Sequence, residues 1–81
     1  QVYVRDNRIS DLTPIAAIQG MHRLFADGNL IEDLSPLANH PKLEWIEMDR
    51  NRVSDLTPLT TIPNIGYARF NGNLISDLAP L

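Results

Sequence analysis

Asn7-Arg8-Ile9-Ser10-Asp11-Leu12, N-R-I-S-D-L, decides the fold, because the chain writes this stretch four times. It returns as N-L-I-E-D-L from Asn29, N-R-V-S-D-L from Asn51 and N-L-I-S-D-L from Asn73. The step is constant: 29 − 7 = 51 − 29 = 73 − 51 = 22 residues. Asp11, Asp33, Asp55 and Asp77 keep it, as do Leu12, Leu34, Leu56 and Leu78, and Pro14, Pro36, Pro58 and Pro80. A fixed period of this length is the signature of a solenoid, in which each unit buries its apolar face against the next.

Working outward from the Asn, Val2 and Val4 flank Tyr3 in the alternation of a half-buried strand. The same slots hold Leu24/Ala26, Ile46/Met48 and Ala68/Phe70, and an apolar residue leads three of the strands: Met21, Leu43 and Ile65. Downstream the chain turns through D-L-T-P-I, D-L-S-P-L, D-L-T-P-L or D-L-A-P-L. Thr13, Ser35 and Thr57 stand directly before Pro, the order of an N-cap followed by proline at the first helical position. Pro41 and Pro63 follow Pro36 and Pro58 so closely that a single turn of 3₁₀ or α-helix is expected, not a long helix. Each unit is therefore strand, Asn turn, capped helical turn and return, with successive strands parallel and about 4.8 Å apart.

The pattern L-x-x-L-x-L-x-x-N-x-I-x-D-L-x-P-L resembles leucine-rich repeats, and its D-L-x-P-L half is similar to the 22-residue units of bacterial internalin-type proteins. The resemblance implies an α/β fold: a right-handed solenoid with a curved parallel sheet on the concave side and short 3₁₀ or helical turns on the convex side. It also implies binding of other proteins through the concave sheet, and favours a bacterial cell-surface or secreted parent. The expected organisation is one solenoid over residues 1–81, a little under four repeats, without recognisable caps. Odd and even repeats differ: Arg8 and Arg52 follow their Asn where Leu30 and Leu74 do, and Gly28 and Gly72 precede it only in the even repeats.

Composition narrows the function. The formal charge is −3, with 7 Lys+Arg against 10 Asp+Glu, which argues against nucleic acid as partner. The absence of cysteine excludes a disulfide framework, a thiol nucleophile and a Cys-based metal site. No apolar run approaches the roughly 18 residues of a membrane span, and there is no signal-peptide core. Compartment is not readable. The start on Gln1 reads as a cut or engineered one.

The ladder Asn7, Asn29, Asn51, Asn73 reads as structural: inward amides that satisfy backbone groups where each strand ends. The ladder Asp11, Asp33, Asp55, Asp77 reads likewise, as carboxylates accepting N–H bonds at the start of a helical turn, and isolation from other oxygen ligands argues against calcium sites. His40 falls in the column of Ile18 and Ile62 and reads as a core histidine, and His22 lies in a different column, so no metal or cofactor site is expected.

The strand residues between the buried ones project from the open face in three columns. These are Arg23, Trp45, Tyr67; then Tyr3, Phe25, Glu47, Arg69; then Arg5, Asp27, Asp49, Asn71. Four of the five aromatics fall in the first two columns, and aromatics with Arg dominate interface hot spots. The expected ligand site is thus Tyr3, Phe25, Trp45 and Tyr67 as anchors, Trp45 leading, with Arg23, Glu47, Asp49 and Arg69 as polar rim. Stacking within the sheet is the competing reading, with Arg5–Asp27 and Glu47–Arg69 as ordinary ion pairs. Catalysis is not expected: no nucleophile set converges, and the in-register carboxylates Asp27 and Asp49 sit on a flat sheet, offset by Arg5 and Arg50. The expected activity is non-enzymatic binding of a protein ligand. The alternative is a truncated or designed scaffold without natural ligand, self-associating end to end through an unpaired strand at Gln1–Asp6 and an apolar layer at Leu78–Leu81.

Overall fold

A computed structural model of the chain describes residues 1–75. The ladder positions Asp77, Leu78 and Pro80 lie outside these residues, as does the apolar layer expected at Leu78–Leu81.

Four short strands, β1 (Val2–Tyr3), β2 (Arg23–Phe25), β3 (Trp45–Glu47) and β4 (Tyr67–Arg69), form one parallel sheet in chain order. The register follows the sequence period: Val2 pairs with Leu24, Leu24 with Ile46 and Ile46 with Ala68. Backbone bonding continues past each strand, with Asp6 N–H to Asp27 O at 2.8 Å, Gly28 N–H to Asp49 O at 2.9 Å and Arg50 N–H to Asn71 O at 2.8 Å. The repeat and the register are the same fact, because like residues can stack only when each coil consumes the same length of chain.

The alternation decides which side chains are buried. Leu24, Ala26, Ile46 and Met48 are fully enclosed, and Leu12, Leu34 and Leu56 stack behind them under the helical turns. In the flanking strands Val2, Val4, Ala68 and Phe70 pack against this core and are half-buried.

On the far side from the sheet lie α1 (Thr13–Ala16) and the 3₁₀ turns Ser35–Leu37 and Thr57–Thr61. The first turn is α-helical and the other two are 3₁₀, with Gln19 standing where Pro41 and Pro63 follow the other two. The capping differs from the sequence expectation. Leu12, Leu34 and Leu56 occupy the cap position with no side-chain cap bond, and Thr13, Ser35 and Thr57 are already helical. The cap-like bond comes from one residue earlier: the N–H groups of Thr13, Ser35 and Thr57 each donate to Oδ1 of Asp11, Asp33 and Asp55, at 2.9 Å in all three coils. An aspartate two residues upstream thus satisfies the first orphan donor of the turn, where a Ser or Thr cap would take the second or third.

The residue before each ladder Asn turns through the left-handed region in every coil: Asp6 at φ 57°, Gly28 at 71°, Arg50 at 58° and Gly72 at 70°. The chain thus places glycine there in alternate coils and bears an ordinary side chain in the others.

Candidate functional site: the concave face of the sheet

The Asn amides hold the strand ends in place beneath this face. Asn51 Nδ2 donates to Ala26 O of the previous coil at 3.0 Å and to Met48 O of its own at 3.2 Å, while its Oδ1 accepts the Ile31 N–H at 3.1 Å. Asn29 and Asn73 repeat the pattern on Val4 O and Ile9 N–H, and on Met48 O and Val53 N–H. Among the described residues, Asn7 bonds only Val4 O and Arg5 O, within its own coil.

A second ladder, not anticipated from the sequence, runs along the third concave column. Asp27 Oδ1 accepts the Asp49 N–H at 2.7 Å, and Asp49 Oδ1 accepts the Asn71 N–H at 2.8 Å. The signal was present in the register of Asp27 with Asp49. Their remaining oxygens are taken by arginines. Arg5 Nε lies 3.1 Å from Asp27 Oδ2, and Arg69 Nε lies 2.7 Å from Asp49 Oδ2. The partner expected for Asp49 from sequence, Arg50, instead faces Asp6, with Nη1 3.5 Å from Oδ1.

Glu47 is the centre of the face. Its Oε1 lies 2.8 Å from Arg69 Nη2 and 3.5 Å from Arg5 Nη2, and its Oε2 accepts the Trp45 indole N–H at 2.7 Å. Two arginines from the flanking coils therefore arch over carboxylates on the central strands. Glu47 and Asp27 are buried at 7% and 4% exposure, so the acids lie under the guanidinium groups and not at a rim. Partial desolvation works against the Arg69 charge, but Asp49 and Glu47 outweigh it and raise its pKa.

The aromatics stack in two pairs. Tyr3 and Phe25 lie 4.7 Å apart at 4°, and Trp45 and Tyr67 lie 4.0 Å apart at 22°. Arg5 sits over Phe25 at 4.9 Å and Arg23 over Trp45 at 5.2 Å, geometries that favour cation–π attraction. Phe25 is buried at 8%, whereas Tyr3 and Tyr67 remain 62% and 36% exposed. Of the four expected anchors, two are thus outward and Trp45 is half-buried between Tyr67 and Arg23.

His40 lies buried at the convex seam. Its Nδ1 accepts the Lys42 and Leu43 N–H groups at 3.3 and 3.2 Å, so Nε2 carries the proton and donates to Ile18 O of the previous coil at 2.9 Å.

No family model and no curated protein sequence matches the chain. Solved structures do. An internalin C2 from Listeria monocytogenes superposes with a TM-score of 0.91 at 37% identity, over 98% of this chain and 35% of that one. An internalin, InlF, from the same organism superposes with a TM-score of 0.87 at 37% identity, over 98% of this chain and 23% of that one. The chain thus spans about a third or less of the length of these relatives. With a parallel sheet in strict register, 22-residue coils and helical turns behind them, it is a leucine-rich-repeat protein whose units resemble those of the internalins.

Proposed function

We propose that the chain is a non-enzymatic protein-interaction module that takes its ligand on the concave face. An internalin-like leucine-rich-repeat fold supports protein interaction in general. The observation that carries the finer reading is the exposure of Tyr3 and Tyr67 on a sheet whose other side chains are already fixed by stacking and ion pairs. Side chains held in place before contact lose little entropy on binding, and exposed tyrosines supply large contact area with few rotatable bonds.

The test is photo-crosslinking from benzoylphenylalanine placed at Tyr67, and in a second variant at the convex Thr60, against a cell-surface protein fraction. A discrete adduct from Tyr67 alone is expected. Adducts from Thr60 alone, or none from Tyr67, would remove the concave face from the reading.

One observation favours a second reading, in which the face is a self-completed sheet surface without a ligand: each aromatic already has a stacking partner and each carboxylate an arginine. Under that reading Trp45→Ala lowers stability and changes no binding.

A further inference from the structure

The chain is acidic overall, yet the side of the sheet that a ligand would meet is not. Asp27 and Glu47 lie buried beneath Arg5 and Arg69, whose side chains keep 45% and 40% of their surface open. Arg23 is exposed, rests on the Trp45 ring, and makes no ion pair among the described residues. Of the exposed acids, Asp11, Glu32, Asp33 and Asp55 belong to the loops and helical turns on the other side, Asp6 pairs with Arg50, and Glu44 directly precedes β3. Burial thus sorts the charge: the acids on the central coils are consumed by Arg5 and Arg69, whose Nε and Nη2 groups turn to them, and Arg23 keeps its guanidinium free of an ion pair among the described residues.

From this segregation we infer that the partner on the concave face is an acidic polypeptide segment, with Asp or Glu carboxylates beside aromatic or other apolar side chains. The inference rests on the concave-face reading and gives it a ligand chemistry. Arg23 is the leading contact. A guanidinium stacked on an indole is held in orientation while its planar fork of donors stays free, the arrangement that accepts a carboxylate in a bidentate pair. Tyr67 stacks on the same indole and offers its own exposed surface beside that fork. Arg5 and Arg69 stand to either side with 45% and 40% of their side-chain surface open, but their charge is already met by Asp27, Glu47 and Asp49, so Arg23 carries the recognition. A basic partner would need to displace these arginines from acids that are already satisfied, leaving charge unpaired beneath the sheet.

Two capped peptides of equal length provide the probe, one of alternating Glu and Tyr and one of alternating Lys and Tyr, titrated against the isotope-labelled chain. The Glu peptide is expected to shift the Trp45 indole N–H and the Arg23 Nε–H resonances, and to bind about five- to tenfold more weakly to Arg23→Gln. Raising the salt should weaken it further, because exposed charges are screened within about 8 Å at physiological ionic strength. Preference for the Lys peptide, failure of the Glu peptide to perturb these resonances, or unchanged affinity in Arg23→Gln with an unchanged melting temperature would each overturn the inference. Crosslinking at Tyr67 separates the two levels. A protein adduct that persists undiminished in the Arg23→Gln background overturns the acidic partner and leaves the concave face standing, an adduct lost with Arg23 supports both, and no adduct from Tyr67 even with Arg23 intact overturns both.

Discussion

Arg50 reaches back across two coils to Asp6: its Nη1 lies 3.5 Å from Asp6 Oδ1, and the pair closes over the backbone of Gly28. A Cβ built on Gly28 would run into Asp6 Oδ1 and lie 3.4 Å from Arg50 Nη1. The second period of the sequence, glycine before the ladder Asn in alternate coils, therefore has a geometric meaning. All four coils need the left-handed turn, but only a bare backbone at Gly28 lets the side chains from the coils on either side meet above it.

Gly28→Ala is accordingly expected to lower stability by about 1–2 kcal/mol, mostly from placing a Cβ at positive φ. The Asp6–Arg50 pair is solvent-exposed, and its loss adds little. Thermal or urea unfolding of Gly28→Ala, Asp6→Ala and the double variant checks this. The double variant should be no worse than the glycine change alone by more than about a few tenths of a kcal/mol.

Asn51 and Asn7 occupy the same place in the repeat and should not be equal. Replacing Asn51 by Ala strands the buried Ile31 N–H, while Ala26 O keeps its bond from Asn29 Nδ2, a cost of about 1–3 kcal/mol. Asn7 is exposed and, among the described residues, bonds only within its own coil, so Asn7→Ala should cost less than about 1 kcal/mol. Equal losses in urea midpoint would mean that the bonds between coils contribute nothing beyond those within one.

The Asp ladder makes stability depend on pH at the acid end. The Thr13 N–H and then its hydroxyl hold Asp11 below the ordinary aspartate value of 3.8. The Ser35 N–H and hydroxyl do the same for Asp33 against weak repulsion from Asp55 and Asp11, and the Thr57 hydroxyl leads for Asp55. A carboxylate with a lowered folded pKa stabilises the fold fully above its unfolded value, and that contribution is lost as pH falls through the folded one. Stability should therefore fall as pH drops below about 4. The triple variant Asp11→Asn, Asp33→Asn, Asp55→Asn keeps an oxygen acceptor in each turn and should flatten that part of the profile. An unchanged slope in urea midpoints between about pH 5 and pH 2 would assign it to other carboxylates.

What was legible in the sequence follows from what repeats. The strict step of Asn29, Asn51 and Asn73 set the coil length, and equal coils left one parallel register, so Leu24 over Ile46 over Ala68 could be read from the residues alone. The helical turns and the aspartates that accept N–H bonds at their start were legible, but the Thr and Ser caps were misplaced, because Asp11 and Thr13 both belong to the capping vocabulary and only backbone angles decide which residue caps. The ion pairs between strand neighbours were legible for the same reason as the register. Arg5 to Glu47 and Arg69 to Asp27 were not, since each spans two coils and depends on how far the sheet brings flexible side chains together. Burial of Phe25 and Glu47 on the outward face was hidden too: alternation says which way a side chain points, and not what its neighbours fold over it.

Trp45 is where stability and binding must be told apart. Its ring stacks on Tyr67, carries Arg23 and donates to Glu47, so Trp45→Ala removes three contacts inside the sheet before any ligand is considered. The lost stacking alone is worth about 0.5–1.5 kcal/mol, and Glu47 Oε2 is left without its donor in a buried position. A fall in melting temperature is expected even for the free chain. Tyr67→Ala removes one stacking partner but leaves the indole hydrogen bond, so its melting temperature should fall less. If the concave face binds, Tyr67→Ala should nevertheless reduce affinity for the Glu–Tyr peptide about as much as Trp45→Ala does. A loss of affinity that merely follows the loss of stability across the two variants would assign both residues to the sheet, and leave Arg23 alone to carry the binding.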